Sequence, residues 1–204
     1  MSGFALSQDY YRNDEPRTLM GSNSKITGWF VSLENSFSQV NEKYTALPGF
    51  SFGMVVNRSL QIGLIGKSFS WYETYLKFDN VMSEPCYLNG GYGGLYVDAN
   101  THAGKLIHVS FPFIIGGGGA SYLSVNKYPE LEDEGEIDYS RRELAVSPFF
   151  VLEPGVNVEM NVTGFMKVYS GVSYRWINGL RLENTSNHAF DGVNFNLGIR
   201  FGKF

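Results

Sequence analysis

The sequence predicts an all-β protein whose eight antiparallel strands close into an up-and-down barrel. Three observations favour this fold. Apolar and polar residues alternate with period 2 in eight separate stretches, as they do in half-exposed strands. Glycine supplies 24 of the 204 residues and aromatic side chains supply 16%, a mixture that suits strands and tight turns. The connections between the stretches alternate between long and short ones.

The predicted strands follow one another along the chain after residue 25. They cover residues 26–37, 50–56, 60–71, 87–99, 107–115, 148–160, 168–176 and 190–204. In the first strand, Trp29 and Leu33 share an apolar face, while Ser32 and Glu34 share the opposite, polar face. A chain of this length fits one barrel, so we expect a polar N-terminal segment at 1–24 and a barrel at 25–204.

Two strands depart from regular alternation. The fourth contains glycines at 90, 91, 93 and 94, which permit a bulge that would shift the register of 88–98. The fifth contains Pro112, which lacks the N–H group that a fully paired strand uses. The pairing of these two strands is therefore open from the sequence.

The connections sort by length. Those after strands 1, 3, 5 and 7 are long and polar and cover 39–49, 72–86, 116–144 and 178–189, whereas those after strands 2, 4 and 6 are short. Long loops on one rim and tight turns on the other are typical of a transmembrane β-barrel. No run approaches the roughly 18 apolar residues of a spanning helix. The mean hydropathy of −0.15 does not decide the question, because a barrel with apolar-out and polar-in residues averages near neutral.

The last strand, FDGVNFNLGIRFGKF, carries an apolar row and ends on an aromatic residue. The predicted barrel-closing residues are Phe195, Leu197, Ile199, Phe201 and Phe204. This strand resembles the C-terminal strand of the small eight-stranded outer-membrane β-barrels of Gram-negative bacteria, the OmpA/OmpX-like proteins.

The resemblance implies a multi-pass barrel in the bacterial outer membrane, surrounded by outer-membrane lipid. It also implies that the last strand seals the barrel against the first strand and is bound by the barrel-assembly machinery. The segment 1–24 would then be periplasmic. Its opening residues, MSGFALSQDYYRNDEP, lack a basic region and an apolar core, so they are not a signal peptide and we expect a mature form.

The composition of the two faces predicts which one points inward. The apolar face is rich in Trp, Phe, Ile, Leu and Val, which are too bulky for an eight-stranded lumen, whereas the other face mixes glycine with tyrosine and charged residues. The predicted lumen ion network comprises Glu34, Lys67, Glu153, Glu159, Arg175 and Arg200, with Lys67 included provided that alternation continues past Gly66. Three acids and three bases balance, as a buried network requires, so we expect a polar, filled lumen without a pore.

Aromatic residues near the strand ends predict the membrane interfaces. The predicted girdle consists of Trp29, Trp71, Tyr174 and Trp176. A soluble, lipocalin-like ligand-binding barrel has the same alternation with its apolar face inward, and it remains an alternative.

A second alternative is an enzyme. His108 and Ser110 form a His-x-Ser pair that resembles the pair of the outer-membrane lipid A deacylases, which are lipid-active hydrolases on a barrel of this size. In that family the site faces lipid near the outer leaflet. Here both residues alternate with Ile107 and Val109 and should face the lumen near a short turn, so we predict no catalytic residues.

Other chemistry has little support in the sequence. The net charge of −4 gives no electrostatic footprint for nucleic acid. Cys86 is the single cysteine, so no internal disulfide forms and no zinc-ligand spacing is present. The glycine runs at 90–94 and 116–119 lack the Lys-Ser/Thr and helix of a phosphate-binding loop.

The acidic segment 130–138 lacks the spacing of a calcium-binding loop and is expected to be a solvated loop. We predict no metal and no cofactor. The sequence thus predicts a non-catalytic outer-membrane barrel with a structural role or a surface-interaction role, in which long extracellular loops contact a protein partner.

Overall fold

The protein is a closed, all-antiparallel barrel of eight strands, which confirms the predicted fold class. The computed structural model describes residues 25–40, 43–77, 82–124, 143–182 and 185–204. The strands are β1 (Ile26–Val40), β2 (Lys43–Val56), β3 (Leu60–Lys77), β4 (Met82–Thr101), β5 (Ile107–Ser124), β6 (Glu143–Asn161), β7 (Met166–Asn178) and β8 (Gly192–Lys203). Within these residues, no helix has the length and apolar character needed to cross a bilayer.

The first and last strands pair with each other and close the barrel. Val31 on β1 pairs with Phe201 on β8, and the paired positions around the barrel lead to Trp176 on β7. On β8, Trp176 is level with Asp191, because Tyr174 pairs with Val193. One circuit of the barrel that starts at Phe201 therefore returns to β8 ten residues earlier. A stagger of this kind means that the strands tilt relative to the barrel axis, by about 35–45° in barrels generally.

The two ends of the barrel differ. We call the end that carries the connections 57–59, 102–106 and 162–165 the turn side, and the opposite end the loop side. Both described chain ends, at Lys25 and Phe204, lie on the turn side. The predicted sorting of the connections by length holds only in part, because the loop side has the two longest connections, 125–142 and 179–191, but also two short ones, 41–42 and 78–81.

The strands are longer on the loop side than the sequence suggested. The predicted loops 39–49 and 72–86 are wrong for most of their length, because β1 and β2 pair up to Val40 and Lys43 and β3 and β4 pair up to Lys77 and Met82. Polar composition did not end these strands, since ladder hydrogen bonds use only the backbone. The connections on this side cover 41–42, 78–81, 125–142 and 179–191.

The register of β4 is regular in spite of its glycines. β4 pairs with β3 from Ala99 to Met82 without a shift, so Tyr92, Tyr96 and Asp98 all point inward and are buried. Pro112 on β5 also points inward, opposite Gly155 on β6, and the β5–β6 ladder continues on both sides of it. A glycine across from the proline ring leaves space for it.

Apolar side chains fill part of the interior, which the sequence prediction missed. A cluster at the loop side packs inside the barrel and includes Leu47, Phe69, Leu88, Val151 and Phe190. A second, smaller cluster contains Phe30, Val55, Ile65, Tyr96 and Ile114. The expectation of a polar lumen is thus incomplete. The width of an eight-stranded lumen limits the size of the side chains inside it, but it does not require them to be polar.

Candidate functional site

The barrel has a charged interior and an apolar outer surface. Among the described residues, four carboxylates and four lysine or arginine side chains lie inside with little or no exposure, so the formal charges of these eight balance. They are Glu34, Asp98, Glu153, Glu159, Lys67, Lys167, Arg175 and Arg200. The strand pairing brings them from six different strands into two connected clusters.

The first cluster is centred on Lys67, which β3 places at mid-height. Its Nζ lies 2.8 Å from Glu34 Oε1 and 2.9 Å from Glu153 Oε1, and it donates to Ser36 Oγ at 3.1 Å. An ammonium group has three protons to donate, and three acceptors surround this one. Lys67 is therefore satisfied although it is removed from water.

Glu153 is the most heavily hydrogen-bonded carboxylate of this cluster. Besides Lys67, its Oε1 accepts from Ser173 Oγ at 2.7 Å and from Asn194 Nδ2 at 2.9 Å. Its Oε2 accepts from Tyr92 Oη at 2.6 Å. β4, β7 and β8 thus all supply donors to one buried charge, which compensates for its loss of hydration.

The second cluster lies nearer the turn side and is centred on Arg200. Its Nη1 lies 2.6 Å from Glu159 Oε1 and 3.2 Å from Asp98 Oδ2, and its Nη2 donates to Tyr96 Oη at 2.7 Å. Tyr96 in turn donates to Asp98 at 2.9 Å. The guanidinium also lies 4.9 Å from the ring centroid of Tyr169, in a cation–π contact.

Tyr169 connects the two clusters. Its hydroxyl donates to Glu34 Oε2 at 2.8 Å, while its ring contacts Arg200. The ring lies against Gly198 on β8, where an added Cβ would come within 2.2 Å of Tyr169 Cζ. Glycine at this position allows the aromatic ring to lie flat against the barrel wall.

Arg175 differs from the other cations of the predicted network. It donates to the Phe190 carbonyl at 2.7 Å, to Asn194 Oδ1 at 3.2 Å and to Ser38 Oγ at 3.2 Å. These three acceptors are neutral oxygens rather than carboxylates. The structure therefore places Arg175 at the edge of the first cluster, as a bridge to the connection before β8.

Two charged residues of the interior were missing from the predicted network. Asp98 lies on β4, whose register the sequence left open, and it was not included in the predicted ion set. Lys167, at the start of β7, has the same inward phase as Tyr169, and its Nζ lies 3.4 Å from Glu159 Oε2. Extending the alternation of β7 by one position toward the turn would have found it.

His108 and Ser110 both contact the carboxylate of Glu159. His108 Nε2 lies 3.1 Å from Glu159 Oε2, and Ser110 Oγ donates to Glu159 Oε1 at 3.2 Å, so each bonds the carboxylate. Both side chains are buried inside the barrel. A nucleophilic serine needs a hydrogen bond to its base and access to substrate. Here the Ser110 hydroxyl instead donates its hydrogen bond to Glu159.

The interior is filled at the level of the first cluster. The cavity enclosed between Glu34, Lys67, Tyr96, Glu153 and Asn196 has a volume of about 10 Å³. This is about the space of one water molecule. Within the described part of the chain, the buried Asn157 Oδ1 and Asn196 Oδ1 have no protein partner, and a single water could serve them.

The outer surface carries the predicted aromatic residues. Trp29 lies near the turn side, whereas Tyr174 and Trp176 lie toward the loop side, and all three are exposed. Trp71 belongs to β3, but its side chain lies outside the part of the chain whose side chains are described.

The last strand presents its apolar row outward. The side chains of Phe195, Leu197, Ile199 and Phe201 are exposed on β8, whereas Phe204 lies one residue beyond the end of the strand. The ring of Phe204 packs against the smaller apolar cluster, with Lys167 Nζ 4.2 Å from its centroid. Phe204 therefore does not extend the outward row.

Some predictions concern residues outside the described ranges. These are the N-terminal segment 1–24 and the acidic segment 130–138. No cluster of histidine, cysteine, aspartate or glutamate that would suit a metal ion occurs among the described residues.

Comparison with solved structures supports the fold. The crystal structure of Neisserial surface protein A (NspA) superimposes with a TM-score of 0.52 at 13% identity, over 89% of this chain and 99% of that chain. The attachment invasion locus protein Ail of Yersinia pestis matches at 0.44 and 10% identity, over 87% of this chain and 99% of that one. Neither a protein-family model nor a curated protein sequence matches.

Proposed function

We propose that this chain, an eight-stranded barrel with the fold of the small outer-membrane barrels, is a non-catalytic integral protein of the bacterial outer membrane. The observation that carries the proposal is the reversed polarity of its two faces. Phe195 is 62% exposed on the outer surface, whereas Arg200, five residues later on the same strand, is 0% exposed. Burying charge while exposing phenylalanine is unfavourable in water and favourable in hydrocarbon.

The apolar outer surface is a continuous belt rather than a scatter of single residues. Every strand contributes to it, for example through Leu33, Phe52, Leu64, Phe111 and Val158. Soluble monomers rarely expose contiguous apolar patches above a few hundred Å². The belt argues against the soluble ligand-binding alternative, as does an interior filled with ion pairs rather than with a ligand cavity.

The functional surface of such a barrel would be its loop side. The charged interior leaves no open pore in our proposal, and the buried His108 and Ser110 contribute structure rather than hydrolysis. The long segment 125–142 connects β5 to β6 at this end and contains the whole acidic segment 130–138. We infer a structural role in the envelope or a surface-interaction role, in which the loop-side segments contact a partner protein.

Membrane residence is tested by fractionation and by vesicle insertion. We expect the protein to stay with the membrane fraction in alkaline carbonate and to be extracted only by detergent. In vesicles, lipids brominated in the acyl chains should quench Trp29, which is exposed on the belt. Release into buffer without detergent, in a folded state, would overturn the proposal.

The absence of catalysis is tested separately. Purified barrel should release no fatty acid from lipid A or phospholipid, and His108→Ala should change stability only. Hydrolysis by the native chain that is lost in His108→Ala would instead establish an enzyme.

A further inference from the structure

The charged residues are partitioned among the parts of the barrel in an uneven way. Segments 41–43, 71–86, 125–144 and 179–191, toward the loop side, contain most of the 20 acidic residues. The interior clusters contain four more. The three connections of the turn side and the residues that flank them contain no aspartate or glutamate.

The turn side nevertheless carries several cations. Lys25, Arg58, Lys105 and Lys203 are all exposed and come from the start of β1, from two turns and from the end of β8. We call these four residues the basic rim. Among the described residues of this end, no acidic side chain is exposed, so the charged side chains exposed there are all basic.

The turns that carry the rim are fixed in position by hydrogen bonds of the backbone and of the Asn161 side chain. Asn100 N donates to Ser59 O at 2.7 Å, and Gly202 N donates to Phe165 O at 2.9 Å. Asn161 Nδ2 donates to the carbonyls of Ala103 and Lys105. The cations therefore project from an ordered surface rather than from long flexible loops.

One of these cations occupies a backbone position that is unfavourable for it. Asn57 and Arg58 both have positive φ, 50° and 60°, in a turn closed by Ser59 N donating to Val56 O. Such a turn prefers glycine at its second central position, and a non-glycine residue there costs about 1–2 kcal/mol. An arginine at this position is consistent with a role for its charge.

The basic rim lies at the level where a membrane surface would be. Lys203 pairs directly with Trp29 of the aromatic girdle, and Lys25 and Lys105 each precede an exposed apolar residue, Ile26 and Leu106. Long basic side chains beside apolar surface extend their charged ends toward the headgroup region. Phosphate groups of lipids are the anions present at that depth.

We propose that the basic rim binds the anionic headgroups of phospholipids in the membrane leaflet on the turn side. This inference rests on the proposed membrane residence of the barrel. The occupant is a lipid rather than a soluble anion because the cations come from separate elements along the turn side, lie beside exposed apolar residues and do not converge on one pocket. Anionic lipid should therefore be enriched around the turn side over zwitterionic lipid.

The test uses the tryptophans as depth reporters. In a chain with Trp71→Phe and Trp176→Phe, Trp29 reports on the turn side; in a chain with Trp29→Phe and Trp71→Phe, Trp176 reports on the loop side. Each is reconstituted in phosphatidylethanolamine vesicles that contain brominated phosphatidylglycerol or brominated phosphatidylethanolamine. Quenching of each tryptophan gives the relative association constant of the two lipids.

We expect brominated phosphatidylglycerol to associate near Trp29 about fivefold more strongly than brominated phosphatidylethanolamine, since each basic residue near an anionic surface contributes about that factor. Trp176 should show no preference. Arg58→Gln with Lys203→Gln should remove the preference at Trp29, and 0.5 M NaCl should weaken it. The matched control, Lys43→Gln with Arg181→Gln, neutralises one exposed lysine and one exposed arginine on the loop side and should leave it unchanged.

The outcomes separate the two proposals. Equal quenching by both lipids at Trp29, or a preference that survives Arg58→Gln with Lys203→Gln, would overturn the rim proposal while the barrel remains a membrane protein. Absence of quenching by either lipid at either tryptophan would show that the barrel does not insert, which overturns the proposed function itself.

Discussion

Glu159 shows what a single buried carboxylate does in this barrel. It is fully buried, and its carboxylate forms ion pairs with Arg200 and Lys167. The same carboxylate is within hydrogen-bonding distance of His108 and Ser110. Glu159→Gln keeps the size of the side chain but leaves the two cations with less compensation. We expect a loss of about 3–5 kcal/mol in the free energy of unfolding, the usual cost of breaking a buried ion pair. Urea unfolding in detergent micelles, followed by tryptophan emission, measures it.

The control for this variant is Arg181→Gln, which removes one charge from an exposed side chain on the loop side. That change should alter the unfolding free energy by less than about 0.5 kcal/mol. Similar unfolding midpoints for the two variants would show that the interior charges are not energetically coupled.

Gly198 provides a steric test of the packing inside the barrel. Because an added Cβ would overlap the ring of Tyr169, we expect Gly198→Ala to cost about 1–3 kcal/mol. The cost should fall when Tyr169→Ala is already present, which a double-mutant cycle of urea midpoints measures. Gly104→Ala, where no atom lies within 4 Å of the added Cβ, is the matched control and should be near neutral. Additive effects of Gly198→Ala and Tyr169→Ala would contradict the packing described.

At the residue scale, the sequence predicted which side chains point inward but not which ones meet. Period-2 alternation assigns Glu34, Glu153 and Arg200 to one face whatever the barrel geometry. Whether Lys67 reaches Glu153 depends on the stagger of four strands, β3 to β6, which no local pattern encodes. Arg175 is buried inside the barrel, and its partners include the carbonyl of Phe190, which depends on the path of the connection before β8.

At the element scale, the turn between β2 and β3 holds Arg58 at a positive φ that is unfavourable for a non-glycine residue. Arg58→Gly should raise the free energy of unfolding by about 0.5–1 kcal/mol, because glycine adopts positive φ without the Cβ clash but loses more entropy on folding. Urea midpoints in micelles measure the gain. Ser59→Gly, in the same turn but without positive φ, should give no gain.

The same variant separates stability from lipid binding. If the basic rim acts as proposed, Arg58→Gly is more stable than the native chain but has a weaker preference for anionic lipid at Trp29. A variant that gained stability and kept the full lipid preference would contradict a role for the Arg58 charge.

The strand ends could be predicted on the turn side but not on the loop side. Tight turns such as 57–59 interrupt the alternation sharply, so the pattern marks where they lie. On the loop side pairing continues after the alternation of bulky apolar and polar residues has stopped, as in the stretch from Lys43 to Gly49. There the outward residues are Tyr44, Ala46 and Pro48, while the apolar Leu47 points inward. Apolar alternation is expected only where a strand contacts hydrocarbon, whereas strand pairing requires only backbone hydrogen bonds. The strands can therefore continue beyond the point at which the alternation ends.

At the scale of the whole molecule, fold and polarity were predictable because they depend on repetition. Eight alternating stretches and sorted connections specify a barrel without knowledge of any particular contact. The apolar cluster at the loop side was not predictable in this way. Its members, such as Leu47 and Phe190, come from segments assigned to loops or from strand ends, and they meet only after closure.

The closed interior leads to a prediction about transport. The two charged clusters are joined by Tyr169, the loop side is filled by the apolar cluster, and the cavity at the first cluster has room for about one water. An ion crossing the barrel would have to displace Lys67 or Arg200 from buried carboxylates at a cost of several kcal/mol.

We therefore expect no steady conductance when the purified barrel is incorporated into planar lipid bilayers at moderate voltage. Gramicidin added at the end of each recording shows that the bilayer is competent, and insertion is verified by quenching of Trp29. Long-lived channels of uniform conductance from inserted protein would mean that the interior opens in the membrane, and the filled-barrel interpretation would then be wrong.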